Sequence, residues 1–391
     1  MKNKAAPAKQ LSGLAYINRI FDNVKKIDSQ QIADVYYDLT SAGVIIPSGE
    51  GRSKGAITIP SSEMAKMAHG KIVLDRSDTG FPSSDLSRAA PILNRRYGQV
   101  ALLVNSGSGK SLTPLLDAQK LAYHVATSGK TRDFRIDLST SNQNSPLSKL
   151  ASKYGNIMKI GGRTDKIIDN ESNEFRSQGI MDDIFTLSSG LIFHSMAEAM
   201  CQQSSPDSII TISDNVSNEI STVIDKFVES DYFNFLLHEL EERKSCFFAG
   251  LGSSREVART AAIRVAHVKH ALGDGVFVAG ESSTTSPRAG DVLIVISLTG
   301  ETEIVASWCR NFKAIGGKVA SLVGSQGSTI ESLSDMSFVI DGDWKKDFPS
   351  SFYIKAAFLL SPLPIYIVER IAERGLRLPE FLLGWHRSVI S

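Results

Sequence analysis

The sequence predicts an α/β protein built as two three-layer αβα sandwiches. Each surrounds a five-stranded parallel sheet, and the two are related by a pseudo-twofold duplication. Three observations predict it. Motifs of the first half recur in the same order in the second, the strand-like segments are continuous apolar runs, and helical patterns lie between those runs. Strands buried on both faces of a parallel sheet read as continuous apolar runs because neither face meets water.

The motifs pair as follows. GVIIPSGEGRS (43–53) resembles SCFFAGLGSS (245–254), an apolar run ending in Gly-x-Gly and small polar residues. VALLVNSGSGKS (100–111) resembles VLIVISLTGET (292–302), an apolar strand entering a Ser/Thr/Gly loop and then a helical pattern. Residues 144–162 match 327–342, and the apolar segment 182–200 matches 349–371. Gly51 and Gly252 are 201 positions apart, Ser106 and Ser297 191, Leu147 and Ile330 183, Phe185 and Phe352 167. The falling offset places insertions in the first half, in the loop-like stretches 76–85 and 163–179.

In the second half, strands are expected near 245–249, 275–279, 291–297, 318–323 and 336–341. Between them, 256–272 and 303–316 read as helices. Ile304, Trp308, Phe312 and Ile315 form the expected apolar stripe of the latter, and Gly316-Gly317 ends it. The polar segment 204–216 is the expected boundary, giving domains 1–205 and 206–391. Helical segments 14–42 and 217–242 open the two halves.

Composition narrows the function. Lys+Arg total 43 against 42 Asp+Glu, a formal charge of +1, which argues against binding nucleic acid or an anionic membrane by bulk electrostatics. Cys201, Cys246 and Cys309 form no C-x-x-C pair, and the seven His show no metal-ligand spacing, so neither disulfides nor a metal is expected. The basic N-terminus lacks an apolar segment after it, and Pro362 and Pro364 interrupt AAFLLSPLPIYIV, the longest candidate span. The expected setting is cytoplasmic.

In a parallel sheet, ligands bind at the carboxyl ends of strands beside helix N-termini. Both Ser/Thr loops fall there. Ser106, Ser108 and Ser111, and likewise Ser297, Thr299 and Thr302, can aim hydroxyls at one point next to free backbone N–H groups and a helix dipole. Phosphate is the natural guest, although simple helix capping uses the same residues. A nucleotide P-loop would need Gly at 104, where the chain has Val104, and neither Gly-x-Gly turn completes a dinucleotide fingerprint.

These residues resemble the SIS (sugar isomerase) domain, a flavodoxin-like fold that binds or isomerises phosphosugars. The second half is closest and resembles the 6-phospho-3-hexuloisomerases, through its loops, Arg264 and His267 on the first helix, Gly280-Glu281 and Gly290-Asp291. The resemblance implies an aldose–ketose isomerase working through an enediolate without metal or organic cofactor. It also implies a sugar-phosphate ligand, a homodimer or homotetramer, and a site where halves or subunits meet.

The resemblance also implies site residues. Phosphate falls to Ser106, Ser108, Ser111, Ser297, Thr299 and Thr302. Gly51, Arg52, Ser53, Lys110, Gly252, Ser253 and Ser254 contact substrate. The helix Glu that serves hexuloisomerases as base is replaced by Tyr353 and, in the first half, by Thr186. Glu301 or Glu281 is therefore the expected base, with His386 or His267 assisting ring opening. The same replacement supports an alternative, a catalytically silent sugar-phosphate sensor.

Overall fold

The computed structural model describes residues 11–67, 70–79, 85–163, 178–341, 345–379 and 382–383. The first sheet holds β1 (Val44–Gly49), β2 (Ile72–Val73), β3 (Val100–Asn105), β4 (Phe134–Thr140) and β5 (Ile157–Lys159). The second holds β6 (Cys246–Ala249), β7 (Val276–Val278), β8 (Val292–Ser297), β9 (Lys318–Val323) and β10 (Met336–Val339). Every pairing is parallel, and the orders are β2-β1-β3-β4-β5 and β7-β6-β8-β9-β10, the same path in both halves. The expected second-half strands agree with these bounds to within two residues.

The helices are α1 (Leu11–Lys25), α2 (Ser29–Ser41), α3 (Gly51–Lys66), α4 (Leu86–Tyr97), α5 (Leu112–Ser128), α6 (Pro146–Tyr154) and α7 (Ile180–Cys201) in the first half. Then come α8 (Ser208–Val228), α9 (Asp231–Glu241), α10 (Ser253–Ala271), α11 (Glu303–Ala314), α12 (Thr329–Leu333), α13 (Phe352–Leu360) and α14 (Leu363–Glu373).

Side chains alternate across each strand, and the alternation sorts them into separate cores. On β1 and β3, Val44, Ile46, Val100, Leu102 and Val104 face an outer core with α4, α5 and α6. Their neighbours Ile45, Ala101 and Leu103 face inward. On β6 and β8, Phe247, Ala249, Leu293 and Val295 face an outer core with α11, while Cys246, Phe248, Val292, Ile294 and Ile296 face inward. The two inward faces share one continuous core, filled by α1, α3, α7, α8, α10 and α13.

Three expectations need correction. On α11 the buried residues are Val305, Ala306, Cys309 and Phe312, whereas Ile304 and Ile315 are exposed; the 3.6-residue period was right but the face was rotated by one position. The polar boundary 204–216 is mostly helix: α8 begins at Ser208 and buries Ile209, Ile212 and Val216, which the flanking Ser and Asp residues masked. Two segments, Ile180–Cys201 and Phe352–Glu373, are long and apolar enough to span a membrane, with mean hydropathy 1.2 and 1.4, but 83% and 78% of them is buried inside the protein. A helix apolar all round belongs in a core, and these two form the middle layer. Burial pushes the Cys246 thiol up to about 12 and Cys309 to about 11, as expected of inert structural thiols.

The inner layer also buries charge. His194 on α7 is 2% exposed, its Nε2 has no hydrogen-bond partner among the described residues, and Glu198 lies 3.9 Å away. Burial pushes its pKa down to about 4; Glu219 opposes this and Lys355 reinforces it. The folded state keeps the ring neutral, so the unfolded chain binds the extra proton between pH 6.5 and 4. Stability is therefore present above pH 6.5 and lost as pH falls through this window. Urea unfolding should show that His194→Gln removes about 3 kcal/mol of the wild type's loss between pH 7 and 4.

Asp183, fully buried, pairs with Arg52 and, at 2.9 Å, with Arg264. Asp183→Asn strands two buried guanidinium groups, and a loss of about 3–5 kcal/mol in the same assay is expected.

Candidate functional site

The two Ser/Thr loops have the same backbone. Gly109 and Gly300 both take left-handed φ, +64° and +66°. A Cβ on either would collide with a serine hydroxymethyl group, Ser145 or Ser328. Gly109 O receives Leu147 N–H, and Gly300 O receives Ile330 N–H. The hydroxyls are also aligned. Lys110 N–H donates to Ser108 Oγ at 3.2 Å, and Glu301 N–H donates to Thr299 Oγ1 at 3.2 Å.

In the second half the loop opens on a cavity of about 400 Å³. Ser254, Ser297, Thr299 and Thr302 line it, with Leu251, Lys345 and Phe348. Ser297 Oγ accepts Gly300 N–H at 3.1 Å, so the Ser297 and Thr299 hydroxyls each use an acceptor position and keep their own hydrogens to give. Thr302 precedes α11 without making a side-chain capping bond, which leaves its hydroxyl beside the helix's first N–H groups.

The far wall comes from the other half. Glu63 and Lys66, on the last turns of α3, line the same cavity, as does Tyr353 on α13. Glu63 is 1% exposed. It accepts Ser253 Oγ–H at 2.9 Å, Ser350 N–H at 3.1 Å and Lys66 Nζ at 2.5 Å. Lys66 Nζ sits 4.8 Å from the centre of the Tyr353 ring. Burial works against the Lys66 ammonium, but Glu63 and Tyr353 outweigh it and its pKa is raised. Burial also raises Tyr353, with Lys66 opposing. At neutral pH the cavity therefore presents a fixed cation and a protonated phenol.

The first half is differently disposed. The residue between its two turn glycines is Glu50, where the second half has Leu251. Glu50 Oε1 accepts Thr113 N–H at 2.7 Å, placing a carboxylate on the N-terminus of α5 where a phosphate would sit. The Ser106 and Ser111 hydroxyls bond each other at 3.0 Å. Arg52, expected to meet substrate, is 7% exposed and paired with Asp183. Burial, then the charge of Arg264, pushes its pKa down to about 9, and it stays charged at neutral pH. Lys110 is exposed on its loop, and Ser53 is half-buried, its carbonyl accepting Asn105 Nδ2 at 2.8 Å.

The other expected residues lie apart. The Glu301 carboxylate accepts Thr329 N–H at 2.8 Å and Thr329 Oγ1–H at 2.6 Å, which holds its pKa down and caps α12. The matching first-half pair, Lys110 and Pro146, has neither the acceptor nor the N–H. Glu281 pairs with Arg259 at 2.5 Å beside a separate cavity near Gly51 and Lys54. His267 is half-buried on α10. His386 lies outside the described residues. Gly51 and Gly252 supply left-handed turns, φ +53° and +56°. His238, Glu241 and Glu242 come within metal-ligand reach of one another, but Arg370 and Arg374 pair with Glu241 at 2.8 and 2.5 Å.

Sequence reasoning missed Glu63 and Lys66 and met Tyr353 only as the replacement for the family's helix Glu. The signal was present in the offset of the first motif. Glu63 and Arg264 are 201 positions apart, as are Lys66 and His267, Arg52 and Ser253. Each crossing residue reaches the opposite half: Arg264 meets Asp183, and Glu63 meets Ser253 and Ser350 N–H.

The SIS domain pattern matches residues 239–357. The chain is 30% identical over 128 residues to 3-hexulose-6-phosphate isomerase of Methylomonas aminofaciens, covering 33% of this chain and 68% of that one. Its counterpart from Mycobacterium gastri is 28% identical over 184 residues, 45% of this chain and 90% of that one. An uncharacterized protein of Archaeoglobus fulgidus is 32% identical over 108 residues, 28% of this chain and 57% of that one. Tagatose-6-phosphate ketose/aldose isomerase from Escherichia coli has a similar fold, with TM-score 0.57 and 12% identity over 93% of this chain and 94% of that one. So does the C-terminal domain of glucosamine-fructose-6-phosphate aminotransferase from Francisella tularensis, with TM-score 0.52 and 13% identity over 92% and 97%. Sequence and fold thus converge, and the chain belongs to the SIS domain family.

Proposed function

We propose that the second-half cavity binds a sugar phosphate and interconverts its aldose and ketose forms through an enediolate. One observation carries this reading: hydroxyls of a helix-opening loop face Glu63 and Lys66 across a cavity of about 400 Å³. That size suits a small polar ligand. The phosphate sits against Ser297, Thr299, Thr302 and the first N–H groups of α11, with Lys345 adding positive charge. The sugar then extends toward Lys66 and Tyr353. The SIS domain match over residues 239–357 and the hexuloisomerase relatives support an isomerase, and the Glu50 carboxylate on α5 favours the second half as the live one.

A silent sensor is the second reading. Tyr353 and Thr186 stand where the family has its helix Glu, and Glu301 is engaged by Thr329. Deuterium uptake from heavy water at C1 of fructose 6-phosphate and at C2 of its aldose product, followed by NMR beside a thermal-shift titration, separates the two. Exchange with a thermal shift is expected; a shift without exchange would leave only the sensor.

Ser297→Ala combined with Thr299→Ala removes two donors to a charged group and should weaken fructose 6-phosphate binding about 100-fold or more, at about 1.5–3 kcal/mol per bond. Ser106→Ala with Ser108→Ala should leave the affinity within a few-fold of wild type, as read by calorimetry.

A further inference from the structure

We propose that Glu63, a residue of the first half, is the carboxylate that moves the proton in the second-half site. The proposal rests on the isomerase reading above and deepens it. Among the described residues lining the cavity, the carboxylates are Glu63 and Asp347. Asp347 is exposed and held on left-handed backbone, φ 61°. Glu63 is built into the wall. Its Oε1 carries Ser253 Oγ–H and Lys66, and among the described residues its Oε2 carries Ser350 N–H alone. A carboxylate offers about four acceptor positions, so one on Oε2 remains for a substrate proton.

The neighbours complete the chemistry. Ser350 N–H comes from the segment leading into α13, and Lys66 lies one turn beyond Glu63 on α3. These contacts fix the carboxylate while the Lys66 ammonium and the Tyr353 hydroxyl flank the same space. In the forward step, Glu63 takes the proton from the carbon next to the sugar carbonyl. The C–H electron pair becomes the C=C bond, and the carbonyl oxygen becomes an anion stabilised by Lys66. The hydroxyl proton on the first carbon passes to that oxygen, with Tyr353 as the hydrogen-bond bridge. Protonated Glu63 then returns its proton to the former carbonyl carbon as the new carbonyl forms. No proton or electron is gained or lost. Glu63 therefore supplies from the opposite half the carboxylate that the Tyr353 position lacks.

The experiment follows deuterium incorporation into glucose 6-phosphate, fructose 6-phosphate, arabinose 5-phosphate and ribulose 5-phosphate, with thermal shifts for the same compounds. Wild type, Glu63→Gln, Glu63→Asp and Lys66→Met are compared. Glu63→Gln should lose at least 100-fold in exchange while keeping its ligand-induced thermal shift. Glu63→Asp should be slowed but keep measurable exchange and its ligand-induced thermal shift. Lys66→Met should lower kcat more than it raises KM. Exchange in Glu63→Gln within tenfold of wild type would overturn the proposal and leave the isomerase reading intact. If Glu63→Gln does not fold, Glu63→Asp decides: slowed exchange with the ligand shift kept supports the proposal, and unslowed exchange or loss of the ligand shift overturns it. Thermal shifts without exchange in wild type would remove the isomerase reading and this proposal with it.

Discussion

The two-residue alternation of the strands governs this molecule. It gives each sheet two apolar faces, and the two inward faces need one covering. A helix held between two such faces has no side left for water. The middle helices α7 and α13 are accordingly buried on nearly every face, and the polar groups they carry must find partners inside the protein, as Asp183 does with Arg52 and Arg264. Ser188, Ser189 and Ser195 on α7 do not break this rule, because their hydroxyls bond Ile20, Phe185 and Leu191 carbonyls.

The composite cavity follows from that shared layer. Where α3 crosses α10, Gly55 leaves room for Thr260, and a Cβ there would collide with the Thr260 hydroxyl. Close crossing carries the last turns of α3 over the carboxyl edge of the second sheet and the middle of α10 over the first. Matching positions on the two helices then meet partners in the opposite halves, but with exchanged chemistry. One crossing is Arg264 with an aspartate, the other Glu63 with a serine hydroxyl and a backbone N–H. The first is closed and structural. The second lines open space.

The sheets and loops were legible in the sequence because each is a local pattern: an apolar run, a Gly turn, a Ser/Thr loop. The loop of Ser297, Thr299 and Thr302 therefore lies between the end of β8 and the start of α11, as its pattern predicted. Glu63 and Lys66 were not, because their roles depend on which helix lies opposite, and α3 itself shows only scattered apolar positions with Pro60 inside it. Glu301 misled for a related reason. Its sequence neighbours say helix start, but its partner Thr329 is 28 positions away. The stripe on α11 slipped because Ile304 and Val305 are equally apolar and only the position of the sheet chooses between them.

Glu50 has a broader consequence. A carboxylate on a short tether, parked on a helix N-terminus, is a built-in competitor. An intramolecular group of this kind acts at an effective concentration of millimolar order or higher, so a free anion meets a site already self-complexed. One copy of a duplicated binding unit can in this way be retired by a single acidic residue without losing its shape. In the proposed reading the first half then serves as a platform that lends α3 to its neighbour, and the contrast between Glu50 and Leu251 marks the division of labour.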